Sequence, residues 1–434
     1  MSKIKVLVVP SDRSGVSKFR SVDPHLKLQE LYGDDFFVDI VTAGTDNFNW
    51  DDDNFIKGFD IVHFHRALPQ VKNGQLQPAY GEDSERILQK FKKHGVKTVM
   101  DLDDYWMVTP DHPAYNQLKN SGLDKHIIHN IKLVDYVTTT TKIYAKEISK
   151  HNKNVVVLPN SVDPSEEQFQ SKPEPTDKKL RVGWLGGSSH LEDLKLASDS
   201  VGQFLSKHKE DAQFVLCGFD LRGNIVEQDP QTGQQKTRKI LPHESVWVRY
   251  EEMFTSNYGR LNPEYVKELK EYSDLTNGKD QNYRRVWTKP ITTYASNYNL
   301  FDVSLAPVKE HIFNYCKSQL KVIEAGFHKK ALIASDFGPY QIDLVDAYER
   351  GGTFNDKGNA FLVGKHKNHK DWGKRLELLY NNPDLVTQLG ENLYQSVQKY
   401  HIDNVTKNRS EFYKTLVEDK ETEVKNLIEE INAI

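Results

Sequence analysis

Three segments carry the residue types and spacings best suited to chemistry. The first is Pro10-Ser11-Asp12-Arg13-Ser14-Gly15-Val16-Ser17-Lys18-Phe19-Arg20, directly after an apolar run. Gly15 permits close backbone approach, and the amides beyond it can meet an anion at a helix start. Arg13, Lys18 and Arg20 add positive charge, although an ordinary strand-to-helix turn accounts for the same residues equally well. The second is Gly186-Gly187-Ser188-Ser189-His190. Two adjacent glycines and two hydroxyls suit an anionic group, while Ser188 or Ser189 could also cap the helix that follows. The third runs from Glu310 to Gly326 and includes Asn314, Cys316, Lys317, Ser318, Gln319, Lys321 and Glu324. A helix starting near Ser318 would carry Lys317 and Lys321 at its first turn, where cations oppose the helix dipole. They make sense there if a diphosphate lies at that end. Glu324 could accept hydrogen bonds from two neighbouring sugar hydroxyls; the bland alternative is a Lys321–Glu324 surface pair worth about 0.2–0.5 kcal/mol.

Short β-rich runs alternating with longer amphipathic stretches must position these segments, a pattern of parallel strands and crossover helices. Strands are expected at 5–9, 37–41, 61–64, 98–101, 136–139 and 155–158, with helices such as 84–93 and 123–133 between them. Residues 171–179, Ser-Lys-Pro-Glu-Pro-Thr-Asp-Lys-Lys, read as a linker. The plan then restarts, with strands at 181–185, 213–217, 246–249, 303–306 and 331–335, and helices at 191–208, 290–298, 320–327 and 372–380. Amphipathic stretches at 383–397 and 411–431 close the chain. The resulting layout is a first Rossmann-like domain over 1–165, a linker over 166–180, and a second such domain over 181–395. An insertion occupies about 220–284, and C-terminal helices over 396–434 are expected to return to the first domain. In such α/β sheets the ligand lies outside the carboxyl ends of the strands, here in a cleft between the two domains.

The chain of 434 residues suits two domains of about 200 residues each. Its formal charge of −4, with 58 Lys and Arg against 62 Asp and Glu, argues against a nucleic-acid surface. No apolar run of about 18 residues is present to span a membrane, and two cysteines give no disulfide framework. A cytoplasmic protein is expected, with peripheral membrane contact left open.

Taken in order, several motifs resemble those of retaining GT-B glycosyltransferases of the group 1, family 4-like type. They are Asp60-Ile61-Val62-His63-Phe64-His65, Leu158-Pro159-Asn160-Ser161-Val162-Asp163 and Tyr294-Ala295 through Asp302. Asn314, Lys317-Ser318, Lys321, Glu324-Ala325-Gly326 and Ala331 to Asp336 complete the succession. The resemblance spans nearly the whole chain apart from 220–284. It implies an α/β, GT-B architecture and transfer of a sugar, with retention, from a nucleotide-diphosphate donor to an acceptor hydroxyl. Glu324 then corresponds to the second Glu of the family's paired-Glu signature, which holds the donor ribose. Lys317, Ser318 and Lys321 would meet the diphosphate or the transferred sugar. Gly186 and Gly187 would lie beside the diphosphate, with Gly15 facing it. The first Glu of the pair falls at Cys316, a departure from the family pattern. Asn314, Gln319, Ser188, His190 and Trp287 complete the expected donor contacts; Tyr283, Arg285 and Trp287 are equally compatible with a core role.

Asp101-Leu102-Asp103-Asp104 follows a strand. Carboxylates in this spacing hold a divalent ion in the other large transferase fold, so a metal-dependent transferase using Asp101 and Asp103 is an alternative. With basic residues and helix ends available for the diphosphate, no metal or other cofactor is expected, and Asp101 and Asp103 are instead placed near the acceptor or the transferred sugar. The expected partners are a nucleotide-sugar donor and a saccharide, lipid-linked or other hydroxyl acceptor, with no nucleic acid. A catalytically silent sugar-nucleotide-binding protein is the third reading.

Overall fold

A computed structural model describes residues 2–11, 15–41, 49–112, 115–172, 179–221, 223–228, 235–241, 244–254, 282–349, 353–364, 370–418 and 421–433. The chain separates into two compact units. The first comprises Met1–Asp163, Glu310–Ile323 and Gln398–Ile434; the second comprises Pro164–Lys309 and Glu324–Val397.

The first unit holds β1 (Ile4–Val9), β2 (Phe36–Ile40), β3 (Ile61–His65), a hairpin of β4 (Pro69–Lys72) and β5 (Gln75–Pro78), β6 (Lys97–Leu102), β7 (Tyr136–Thr139) and β8 (Val155–Val157). Six of these form a sheet in the order 2-1-3-6-7-8, and every pairing in it is parallel. The near-continuous apolar runs reflect burial on both faces. Alternate residues point to opposite sides: Leu7, Val9, Val62, Phe64 and Met100 enter one core. Val6, Val8, Ile61 and Val99 enter the other. Helices Glu82–Lys93 and Leu123–Leu133 cover the first face through Ile87, Leu88, Phe91, Ile127 and Ile131. Helix Glu82–Lys93 has three acids in its first turn and three lysines in its last, matching its dipole. The second face is covered by Leu28 of helix Asp23–Tyr32, by Phe412, Tyr413 and Leu416 of helix Ile402–Val417, and by Val424 and Ile431 of helix Glu421–Ala433.

The second unit repeats the plan with β9 (Leu180–Leu185), β10 (Ala212–Phe219), a hairpin of β11 (Asn224–Gln228) and β12 (Gln235–Lys239), β13 (Tyr283–Trp287), β14 (Val303–Ala306), β15 (Ala331–Ser335) and β16 (Phe361–Val363). Its six-stranded sheet runs 13-10-9-14-15-16, again parallel at every pairing. Gly183 in β9 is required by packing, because a Cβ there would lie 2.0 Å from the Phe301 ring.

Several expectations change. The strand expected at 246–249 is part of a helix, Val246–Phe254. Its alternating Val-Trp-Val-Arg-Tyr mimics a strand, but the buried set Trp247, Tyr250, Glu251 and Phe254 follows helical spacing, and Ser245 Oγ accepts the Trp247 N–H. Strands β13 and β16 were not anticipated. The helix expected at 191–208 is broken into Leu191–Leu194 and Ser198–Lys207, and that at 290–298 is instead the 3₁₀ helix Tyr294–Leu300. The closing stretch 411–431 belongs to two helices. The 220–284 insertion contributes hairpin β11–β12, helix Val246–Phe254 and the start of β13; its residues 255–281 lie outside the described residues. No described helix is long and apolar enough to cross a membrane.

Candidate active site

In the first unit the carboxyl ends of β1, β3 and β6 bring polar side chains together. Arg20 turns inward, donating through Nε and Nη2 to the two oxygens of Asp101 at 3.0 and 2.7 Å. Both side chains are buried, and Thr138 Oγ1 donates to the same carboxylate at 2.6 Å. Burial alone would push the Asp101 carboxyl up; Arg20 more than offsets this and holds it below its ordinary range. Arg20 also donates to Leu158 O at 2.7 Å and to Asn160 Oδ1 at 3.1 Å, and Asn160 Nδ2 donates to Ser318 Oγ at 3.0 Å. Arg20 and Asp101 are therefore an internal brace, which changes the expectation of a phosphate-facing Arg20. Lys18 likewise pairs with Asp23. Gly15 opens the short helix Gly15–Ser17, whereas Arg13 lies outside the described residues.

Asp103 has a different environment. It accepts from His65 Nε2 at 2.8 Å and from Arg66 Nη2 at 2.8 Å. Burial works against its charge, but Arg66 and His65 prevail and keep it well below the usual carboxylate range. Arg66 also reaches Asp104 at 3.2 Å. Burial, with Asp103 next to it, pushes the Asp104 carboxyl up. Arg66 adopts φ 60°, a left-handed backbone conformation uncommon for residues other than glycine, and its N–H donates to Asp101 O at 3.1 Å. The other ring nitrogen of His65 meets Ser11 Oγ at 2.7 Å.

The segment expected to carry the chemistry divides its side chains. Lys317 is half-buried, and its charge acts on both Asp104 and His112. Ser318 faces Asn160. Gln319 is buried and donates to Tyr400 OH at 2.8 Å, holding the C-terminal segment. Asn314 is buried on the short helix Ile312–Tyr315. Lys321 is half-buried in the first turn of helix Leu320–Phe327. Cys316 points into the core containing Phe91, Ile127 and Tyr144, where burial pushes its thiol up to about 12. Its position explains the departure from the paired-Glu pattern, since a carboxylate there would be desolvated without a built partner.

In the second unit, Gly187, Ser188 and Ser189 are exposed after β9, with Gly186 half-buried. Tyr250 OH accepts the His190 N–H at 2.9 Å and donates to Gly187 O at 3.3 Å. His190 Nδ1 lies 2.7 Å from Asp193 Oδ2, and Asp193 Oδ1 accepts from Lys309 N–H at 2.7 Å. One carboxylate thus joins the loops after β9 and β14. Gly218, at φ +103°, comes so close to this loop that a Cβ would lie 2.6 Å from Gly186 O. Glu324 is buried. Tyr294 OH donates to its Oε1 and Tyr298 OH donates to its Oε2, the latter at 3.0 Å. Burial, followed by Glu324, pushes both phenols well up. Trp287 is half-buried at the end of β13, its ring edge-on to Phe219 at 5.0 Å, while Tyr283 and Arg285 bond Glu251. Among the described residues no group of three His, Cys, Asp or Glu is arranged to hold a metal ion.

Ser11 belongs to the first segment singled out in the sequence, and His65 and Asn160 to the family-like motifs, but their joining with Arg66 into one network was not foreseen. Nor was the support that Tyr250 and Tyr294 give to the second unit's loop and to Glu324.

Two parallel doubly wound sheets in separate units, with polar loops at their carboxyl ends, define a GT-B fold. No family model matches the chain, and no curated protein matches it. Solved structures do share the architecture. A glycosyltransferase from Rickettsia africae matches over 97% of this chain and 100% of its own, with TM-score 0.58 and 14% identity. Anabaena HepE, solved with UDP and glucose, matches over 96% and 100%, with TM-score 0.57 and 9% identity. The catalytic domain of Arabidopsis thaliana starch synthase IV, bound to ADP and acarbose, matches over 96% and 100%, with TM-score 0.56 and 10% identity.

Proposed function

We propose that this protein is a glycosyltransferase, moving a sugar from a nucleotide-diphosphate donor to an acceptor hydroxyl. The observation that carries the reading is the division of labour within one short segment. Lys317 and Ser318 join the charged cluster of the first unit, and Glu324 anchors the tyrosine pair of the second. A diphosphate leaving group needs fixed positive charge and aligned amides. Each unit holds groups of this kind: Lys317 and Lys321 in the first, and the Gly186–Gly187–Ser188 loop after β9 in the second. Solved structures of the same fold hold UDP with glucose and ADP with acarbose, ligands of the class this reading requires.

The reaction breaks the bond between the anomeric carbon and the diphosphate and forms one to the acceptor oxygen. Following the family resemblance, we assign retention of anomeric configuration and no metal. The engagement of both Asp101 oxygens by Arg20 and Thr138 supports the latter. We assign Glu324 to the ribose site, acting with the Tyr294 and Tyr298 hydroxyls. Cys217 and Cys316 are buried free thiols, which suits a cytoplasmic setting. A thermal-shift screen with nucleoside diphosphates and nucleotide sugars tests the donor assignment. A ligand at 100 times its Kd adds about 2.7 kcal/mol of stability, so one nucleotide should raise Tm saturably. No shift with any nucleotide contradicts the assignment.

A further inference from the structure

The chain enters the second unit through a segment that begins at Pro164 and includes the 3₁₀ turn Glu167–Phe169. This segment docks on the two elements that hold Glu324, helix Leu320–Phe327 and the 3₁₀ helix Tyr294–Leu300. His328, fully buried one turn beyond Glu324, makes the central contact. Its Nδ1 lies 2.8 Å from Glu324 O and its Nε2 lies 2.9 Å from Gln168 O. Burial pushes the imidazole down to about 4; the two carbonyls oppose this and the Lys330 charge adds to it, so the ring is neutral at pH 7. A neutral imidazole carries a single N–H, yet two carbonyl oxygens face it. Glu324 O also accepts the His328 backbone N–H at 3.1 Å, whereas Gln168 O has no other donor among the described residues. Nε2 is therefore the nitrogen that donates, and it ties Gln168 to the end of the Glu324 helix. The Nδ1 lone pair then faces Glu324 O, an unfavourable contact that a small movement of the helix end would relieve. The Tyr298 ring stacks on His328 at 5.1 Å, and its hydroxyl donates to Glu324 Oε2. Gln168 Oε1 accepts the Ala295 N–H at 3.4 Å, beside Tyr294. Asn299 fastens the segment further, donating to Gln170 O at 3.1 Å and accepting the Lys172 N–H at 2.8 Å.

We propose that Gln168 and His328 are positioning residues of the donor site, through which nucleotide binding at Glu324 and docking of the 164–172 segment reinforce one another. The proposal rests on the assignment of Glu324 to the ribose. Both oxygens of Glu324 are held by phenols of one 3₁₀ helix, and that helix and the Glu324 helix are fastened to the same segment. A ribose bonded to the Glu324–Tyr294 pair fixes both elements, which lowers the ordering cost of the contacts that Gln168 and Asn299 make. By linkage, the docked segment raises nucleotide affinity by the same factor. Gln168 and His328 are 3% and 0% exposed, so they act through Glu324 and Tyr294 and do not touch the ligand.

The test uses the full chain with UDP, ADP and GDP as probes. In the wild type, the nucleotide that binds should slow amide hydrogen exchange across 166–172 at least about fivefold, with β1 of the first sheet as internal reference. His328→Phe keeps a ring against Tyr298 but loses both polar contacts. It should weaken that nucleotide about tenfold by calorimetry, and saturating nucleotide should no longer protect 166–172. His328→Gln, whose amide nitrogen stands in for Nε2, should bind within about threefold of wild type. His328→Asn, which stands in for Nδ1, should behave like the phenylalanine variant. A folded His328→Phe with wild-type affinity overturns the proposal. So does a wild type that binds nucleotide with exchange across 166–172 unchanged, a result that needs no variant to fold. A wild type that binds none of the three nucleotides removes the donor reading itself, and the coupling with it.

Discussion

Asn160 Nδ2 donates to Ser318 Oγ at 3.0 Å, joining the segment after β8 to the segment that carries Lys317 and Lys321. The same amide accepts from Arg20, which is locked to Asp101. A buried ion pair is thereby coupled to the position of the Lys317–Ser318 turn. Asn160→Ala should leave Arg20 and Ser318 each short of a partner and cost about 1–3 kcal/mol. Because small displacements of positioning groups reduce rates steeply, donor turnover should fall about 10- to 100-fold. Urea unfolding and steady-state kinetics on the variant check both effects.

Glu324 and Tyr294 should behave as a unit. Tyr294→Phe and Glu324→Gln each disturb the same hydrogen bond, so their effects on nucleotide affinity should be strongly non-additive in a double-mutant cycle. Each single change should weaken nucleoside diphosphate binding about tenfold, measured by calorimetry. Additive losses would show that the phenol and the carboxylate act separately.

Restoring the family residue at Cys316 should harm rather than help. Cys316→Glu places a carboxylate in an apolar core, with an expected cost of several kcal/mol after relaxation. Cys316→Ala should remain folded and active. Denaturation midpoints distinguish the two, and the thiol, pushed up by burial, should resist alkylation in the native protein.

A second buried network makes stability depend on pH. His25 Nε2 and His63 Nδ1 both contact Tyr413 OH at 2.8 Å, the rings lie 4.6 Å apart, and Arg409 reaches the same phenol at 3.3 Å. Burial, followed by Arg409, depresses both imidazoles well below their ordinary value; for His63 the charges of Arg20 and His65 add, and for His25 the distant Asp101 partly opposes. A depressed folded-state pKa means the unfolded chain takes protons first. The stability is therefore complete above about pH 6.5, the unfolded value, and declines as pH falls toward the folded values. Urea midpoints should be flat from pH 8 to 7 and drop by pH 5.5, with the drop reduced in a His25→Phe, His63→Phe variant that still folds.

The sheets were largely legible because their strands are buried on both faces and read as apolar runs: Val6 to Val9, Ile61 to Phe64 and Ile333 with its neighbours. β13 was not, because Tyr-Arg-Arg-Val-Trp puts two arginines in its centre. Arg285 is paired with the buried Glu251, 34 residues away, at 2.5 and 2.9 Å. A pairing over that distance leaves no local pattern. The same reason explains the site. Arg20 looked like a phosphate ligand because Asp101, its partner, lies 81 residues further on. Ser11 and His65 each stood in a segment singled out in the sequence, but the contacts of His65 with Ser11 and with Asp103 appear only when β1, β3 and β6 lie side by side. The glycine loop after β9 was legible, while its support by Tyr250 came from a helix whose alternating residues imitate a strand.

The transferase assignment is tested most directly by nucleoside diphosphate release from a panel of nucleotide sugars, comparing wild type with Lys321→Ala and Glu324→Ala. One donor should be consumed by the wild type, with its sugar recovered on an acceptor or in water. Both variants should lose at least about 10²-fold in kcat/KM, a loss of about 2.7 kcal/mol in transition-state stabilisation, while retaining wild-type circular dichroism. Full activity in both variants, or a wild type that converts no donor, would contradict it.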